Sequence, residues 1–560
     1  MRRQRRGLKL LALIMGLSLV AGACGSDDDE GSDDGSDEAT ETPEGPEGGT
    51  LIDLQNFAQG EPDHIDPALA GVLQGAQIGQ LLYDGLTEFD FSGDGDPELK
   101  GQVAESWESD DGQTWVFTIK DGQKFSDGTP VLPSSFKRGW DRAASAAMAS
   151  EINYHLLPIA GAEAVTAGEA TEISGLTADD EAMTFTVELE KPFWDWPSVV
   201  SHPVFAPMPE AVDALEDSTQ WEQGVMIGNG PFMQEEPWEH EVAINLVRNP
   251  EWAGGIYEEG TLAKLDAIEF RMSADLDSSF ADFEAGNGDT GYIPAGRFAE
   301  ATENYPNATE GNMGLYHFFI NQESQLGGEE NQKLREALAL AIDRDAINET
   351  VYDGSRRLPT GITPPGVPGY EEGLCGDLCE YDPDAAEALI AEWEEEGGSL
   401  DHPIKLNFNT GSGHEDVVAI VQQNLEDIGL EAEQDPRDPT NYFTEMRNGA
   451  CEFCRAGWIW DYPVYDSAIF PLLHSSSIDG DNIARYSNPD VDAAIDEARS
   501  TEDDEARFEL YREAEQIALE EVGLVPFNWY NGQIVFTEQV GNFVQTPLQF
   551  VLYEQVTIEE

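Results

Sequence analysis

Bases are scarce in this chain of 560 residues: 29 lysines and arginines face 111 aspartates and glutamates, for a formal net charge of -82. The excess is spread along the sequence rather than gathered in one block, so repulsion excludes nucleic acid and anionic membrane surfaces as partners. Five of the bases fall in the first 24 residues and eleven of the acids in residues 25–48, which leaves about -76 on residues 49–560. A diffuse acidic surface with few lysines suits a saline habitat, where screening acts over roughly 8 Å or less. Catalytic signatures are also missing. There is no Gly-x-Ser-x-Gly elbow and no His-Glu-x-x-His zinc helix, His240-Glu241 lacking the second histidine. Gly228-Asn-Gly230 is followed by proline rather than lysine, which makes it a tight turn and not a phosphate loop. Asp94-Gly-Asp96 lacks the spacing and terminal glutamate of a calcium loop. No metal and no cofactor is expected.

Long apolar runs are absent after residue 24. The one that is present, Leu8 to Val20, follows Arg2, Arg3, Arg5, Arg6 and Lys9 and precedes Ala21-Gly22-Ala23-Cys24, which is the layout of an export signal. It is too short to span a bilayer comfortably. Small residues before Cys24 resemble a bacterial lipobox, in which that cysteine is lipidated and becomes the mature N-terminus. Arg5-Arg6 lacks the surroundings of a twin-arginine signal, so the Sec route is expected. Residues 25–48 are almost wholly Gly, Ser, Thr, Pro, Asp and Glu and cannot form a core, so they read as a solvated tether. Four cysteines remain: Cys375, Cys379, Cys451 and Cys454. An even number in an exported chain points to two disulfides. The local pairs are easiest to reach, cross-pairs stay open, and a four-thiolate zinc site is the rival reading.

Some 510 residues exceed one ordinary core, so two or three lobes are expected. Period-two runs at Thr114 to Lys120, Met183 to Leu189, Val242 to Val247 and Ile404 to Asn409 predict strands. Helical periodicity marks Asn331 to Ile347, Asp384 to Glu395, Glu415 to Ile428, Asp490 to Ala498 and Glu505 to Glu520. The mixture defines an α/β chain.

The segment Arg455-Ala-Gly-Trp458-Ile-Trp460-Asp461-Tyr462-Pro463 sets one cation and one anion six residues apart among aromatics. That arrangement suits a zwitterion, because charges leave water cheaply only when paired. A packed strand end with a surface ion pair is the competing explanation, as core packing is for Trp458, Trp460 and Tyr462.

Several segments in order carry a likeness: Gln80 to Thr87, Val103-Ala-Glu-Ser-Trp107, Asp111 to Thr129, Ile227 to Phe232, Arg248-Asn-Pro-Glu-Trp252, Leu334 to Arg344, residues 455–463, and Arg507 to Tyr511. Together they resemble the family 5 extracellular solute-binding proteins, the dipeptide and oligopeptide receptors of ATP-driven importers. The resemblance implies a type II periplasmic-binding-protein-like fold of three lobes. Lobe I would comprise residues 49–88, 206–313 and 524–560, lobe II residues 89–205 and lobe III residues 314–523, with a hinge between lobes I and III. It implies that Asp461 holds a ligand's α-ammonium, that Arg455 faces its C-terminal side, and that His414 and Arg447 add partners for the carboxylate. Ala339 departs from relatives that place a lysine there, which leaves peptide length open. The implied protein is a monomeric, lipid-anchored, extracytoplasmic receptor with no enzymatic activity. It would pass short peptides to an ABC permease with cytoplasmic ATPases. The same fold also serves nickel chelates, haem, opines and oligosaccharides. A secreted peptide hydrolase, and an adhesin or peptide-holding chaperone, are the readings from other classes.

Overall fold

In the computed structural model, which describes residues 48–559 except 94, 95, 216, 258–260, 412 and 440, three bodies are built around separate sheets. The export signal, Cys24, the acidic tether up to residue 47, and Asp94 lie outside the described residues. Strand Thr50–Asp53 runs parallel to Ala267–Arg271, which pairs antiparallel with Ala243–Arg248 and through it with Phe232–Met233. Chain segments more than 200 residues apart thus share one sheet. Residues 540–559 return to it, Tyr553 meeting Phe270 edge-on with centroids 5.2 Å apart.

The second body follows from simple alternation. In Thr114–Ile119, Trp115, Phe117 and Ile119 point one way and are buried. This strand lies between Ala104–Glu108 and Thr184–Glu188, and Leu176–Asp179 closes the antiparallel sheet. Helix Pro133–Ala144 begins with proline at its first turn and sets Phe136 and Trp140 four residues apart on its buried face. Trp140 meets Phe185 and Phe205 at 4.9 and 4.7 Å and donates its indole N–H to the Phe205 carbonyl.

The third body holds a five-stranded sheet in the order Ala432–Arg437, Ile404–Asn409, Phe453–Ile459, Gly311–Ile320, Val525–Asn531. Within it Gly311–Ile320, flanked by Phe453–Ile459 and Val525–Asn531, sends Tyr316, Phe318 and Ile320 to one face, and Leu315 and Phe319 to the other. Helices Gln332–Leu340 and His414–Asp427 cover the first face, and Asp466–Leu473, Pro489–Arg499 and Asp504–Glu520 cover the second. The local disulfides Cys375–Cys379 and Cys451–Cys454 both belong to this body. With all four sulfurs in disulfides, no thiolate is left for a four-cysteine zinc site.

Two expectations need correction. The helix read as Asn331 to Ile347 is two helices, Gln332–Leu340 and Arg344–Val351. The apolar spacing of Leu334, Leu338, Ala341 and Ile342 runs through the break, but the Asp343 carboxylate accepts the Ala346 N–H and starts a new helix. The last lobe I segment was expected from residue 524. Val525–Asn531 instead pairs along Gly311–Ile320, with Phe318 opposite Val525 and Leu315 opposite Trp529, so the chain re-enters lobe I only at Ile534–Phe536. Lobes I and III are therefore joined by two adjacent crossings, near residues 309–311 and 531–533. The Gly532 N–H bonds the Glu310 carbonyl across them at 2.9 Å. A Cβ on Gly532 would lie 2.5 Å from the Ala308 carbonyl oxygen, so only glycine lets the crossings pack this closely.

Buried acids give the fold an uncommon pH response. Burial pushes Asp84 up to about 7, against the pull of the Trp252 indole N–H at 2.8 Å, and pushes Asp195 up to about 6. Between these values and the ordinary carboxylate range the folded chain holds protons that the unfolded chain has lost. Asp84 alone therefore adds about 2 kcal/mol of stability as pH falls from about 7.5 to about 5.5, while the buried neutral histidines His202, His317 and His414 act in the opposite direction because the unfolded chain protonates them near 6.5. Calorimetry at constant ionic strength should show that the change in stability from pH 8 to pH 5.5 is about 2 kcal/mol more favourable in the wild-type protein than in Asp84→Asn. The same pH response in both proteins would contradict the assignment.

Candidate functional site

A cavity of about 2450 Å³ lies where the three bodies meet. It exceeds twice the upper end of the roughly 300–1,000 Å³ usual for small-molecule sites, so it has room for a chain-like ligand. Its walls include Gln55 and Phe550 from the first body, His155 and His202 from the second, and Tyr316 and Trp458 from the third.

One end is cationic. Arg455 lies on the strand Phe453–Ile459 and turns toward the N-terminus of helix His414–Asp427. Its Nε donates to Asn409 Oδ1 at 2.8 Å and its Nη2 to His414 Nε2 at 2.7 Å. The guanidinium lies 5.4 Å from the Tyr316 ring centroid. Burial, then the charges of Arg455 and Arg356, push His414 down to about 2. The imidazole is thus neutral, with its proton on Nδ1 toward the Tyr316 hydroxyl at 3.2 Å. This corrects the expectation that His414 meets a ligand carboxylate: both ring nitrogens are engaged, and the residue positions Arg455. Arg356, not singled out from the sequence, joins this end. Its guanidinium stacks on Tyr352 and Tyr530 at 5.0 and 4.9 Å, and its buried Nε has no partner. The available signal was the pair Arg356-Arg357 in a base-poor chain.

The other end is anionic. Asp461 follows the strand and is fixed by its N–H donating to Ser467 Oγ at 3.0 Å. Its Oδ2 lies 3.4 Å from the Tyr154 hydroxyl and 3.7 Å from His155 Nε2, while part of the carboxylate stays open to the cavity. Burial first, then the charge of Asp481, push it up to about 7. Arg447 does not relieve it and does not join Arg455, contrary to expectation. It pairs with Asp481 at 2.8 Å from the turn Met446–Ala450, so its charge is already met. Trp458 borders the cavity with its indole N–H on the Ser467 carbonyl. Trp460 is buried in the core of the third body, and Tyr462 in that of the second.

His155, His202 and Asp461 bring metal-ligating atoms within 4.8 Å of one another. The two imidazoles, however, stack at 4.2 Å with 29° between their planes. A metal must lie in the plane of each ring at about 2 Å, and stacked rings share no such point. His202 Nδ1 also accepts the Val204 N–H, which leaves its other nitrogen protonated. The cluster suits a protonated ligand group better than a cation of this kind.

Contacts between the second and third bodies border the cavity. Arg507 Nε pairs with Asp195 at 3.0 Å, the Trp194 N–H donates to the Arg499 carbonyl at 2.9 Å, and Lys191 meets Asp496 at 3.1 Å. Arg499 stacks on Phe193 and Phe470 while binding Asp466 through two nitrogens at 2.7 and 2.8 Å.

Lobes joined by two strand crossings, with a charged cavity between them, define a hinged binding protein that shuts around its ligand. Residues 98–480, more than half of the chain, match the family described as bacterial extracellular solute-binding proteins, family 5 (middle region), and the chain belongs to that family. It is a solute receptor and not an enzyme. The dipeptide-binding protein DppE of Bacillus subtilis is 25% identical over 553 residues, covering 97% of each chain. The murein tripeptide binding protein MppA of Escherichia coli superposes with a TM-score of 0.76 at 23% identity, over 92% of this chain and 98% of that one. Haemophilus influenzae OppA, solved with the peptide RPPGFSPFR, gives a TM-score of 0.73 at 23% identity over 91% of this chain and 98% of that one. Among the described residues no helix is long and apolar enough to cross a membrane.

Proposed function

We propose that this protein captures short peptides between lobes I and III and delivers them to a membrane permease driven by cytoplasmic ATPases. The observation that carries the reading is the division of charge along the cavity. Asp461 stands at one end with no lysine or arginine paired to it among the described residues, its His155 neighbour being held neutral by burial, and Arg455 at the other with no acid. Asp461 takes the ligand's α-ammonium, and Arg455, steadied by His414 and Asn409, takes its α-carboxylate. Cavity size and the relatives' printed peptide ligands support a ligand of several residues rather than one amino acid. Trp458 flanks the peptide, while backbone hydrogen bonds and water in roomy side pockets make capture tolerant of sequence.

On this reading the receptor works as a monomer outside the cytoplasm, held at the membrane by lipid on Cys24 and spaced from it by the acidic tether. Native mass spectrometry of protein purified from its host, followed by denaturation and sequencing of what is released, tests the proposal. A ladder of intact short peptides is the expected result. Release of a sugar or a metal chelate, with no peptide, would overturn it.

A further inference from the structure

The cationic end of the cavity carries one charge more than a peptide C-terminus supplies. Arg455 and Arg356 both stand near His414, Tyr352 and Tyr530. Neither guanidinium has an ion-pair partner among the described residues, in a chain with 111 acids. Three other enclosed arginines do have one: Arg142 binds Asp66, Arg499 binds Asp466, and Arg507 binds Asp195. Arg335, Arg344 and Arg357 lack an acid but spend their N–H groups on backbone carbonyls. Arg356 has neither. It is held in place by the two tyrosine rings, its Nε is shut away without a partner, and it lines the cavity.

Two guanidiniums around one carboxylate leave a desolvated charge unmatched, which is costly in an enclosed site. Arg455 has already committed Nε and one Nη to Asn409 and His414, which fixes it for a single carboxylate. Arg356 keeps its outer nitrogens free and presents the planar fork that pairs with a carboxylate through two parallel hydrogen bonds. We propose that Arg356 is the receptor for a second carboxylate, so that the preferred ligands are peptides whose C-terminal residue is aspartate or glutamate. The inference rests on the peptide reading above and names the ligand class within it. Stacking of Arg356 on Tyr352 and Tyr530 for stability alone is the competing explanation, and it predicts no ligand preference.

The test uses two peptide ladders of three to eight residues, alanine throughout, one ending in glutamate and the other in glutamine. They are offered together to the full chain extracted in mild detergent, and retained peptides are quantified by mass spectrometry. The glutamate ladder is expected to be retained at least ten-fold over the glutamine ladder. In Arg356→Gln the ratio should fall to near one, and in Arg356→Lys part of it should return. Equal retention by the wild-type protein overturns the inference, as does a preference that survives in Arg356→Gln. Retention of neither ladder would instead remove the peptide reading on which it rests.

Discussion

Asp461→Asn is expected to weaken capture of peptides with a free N-terminus by about 3 kcal/mol, or roughly 100-fold, because it leaves a ligand ammonium buried without its counter-charge. The pH dependence makes the prediction specific. In the empty site Asp461 is held up to about 7, by burial first and by Asp481 second. A bound ammonium favours the ionised carboxylate, so below pH 7 binding must expel a proton, and the apparent Kd should rise by up to ten-fold per pH unit. Above about pH 8 the peptide's own α-amino group loses its charge, and affinity falls again. Titration calorimetry in buffers of different ionisation enthalpy should detect the released proton near pH 6 in the wild-type protein and none in Asp461→Asn. An acid limb that persists in the variant would assign the titration to another group.

Arg507→Met is expected to leave the fold intact but shift the protein toward its open form and speed ligand release by about 30-fold, the effect of roughly 2 kcal/mol. Opening about the two strand crossings is expected to part lobe III from lobe II and to break the contacts between them. Arg507 and Asp195 are both nearly shut off from solvent, and removing the cation leaves Asp195 to be rehydrated by opening. Small-angle scattering should give a larger radius of gyration for ligand-free Arg507→Met than for wild-type protein, and stopped-flow release should be faster. A variant with unchanged release but lowered Tm would make the ion pair a support of the fold rather than a latch.

Local pattern carried much of this far. Thr114–Ile119 and Ile404–Asn409 alternate strictly, and Pro383–Glu395 and Pro489–Arg499 repeat their apolar residues at helical spacing, so nearest-neighbour physics marks them. Arg455 and Asp461 could be found as a pair because six residues separate them. Arg447 could not be placed, since Asp481, which neutralises it, lies 34 positions away. His414 looked like a contact for the ligand because its neutrality depends on Arg455, 41 residues on. Arg356 gave almost no local sign, for what distinguishes it is the lack of an acid around it, a property of packing and not of spacing. The helix break at Asp343 was missed for a different reason: the hydrophobic period continues through it, and a single capping carboxylate outweighs that continuity.

The strands Gly311–Ile320 and Val525–Asn531 lie side by side, so the chain enters and leaves lobe III at neighbouring points. Arg356, His414, Arg455 and Asp461 all fall between them. A recombination event that swapped this one stretch would move these four residues as a unit through a single seam, while Tyr154, His155, Tyr316 and Tyr530, which contact them, would stay with the host chain.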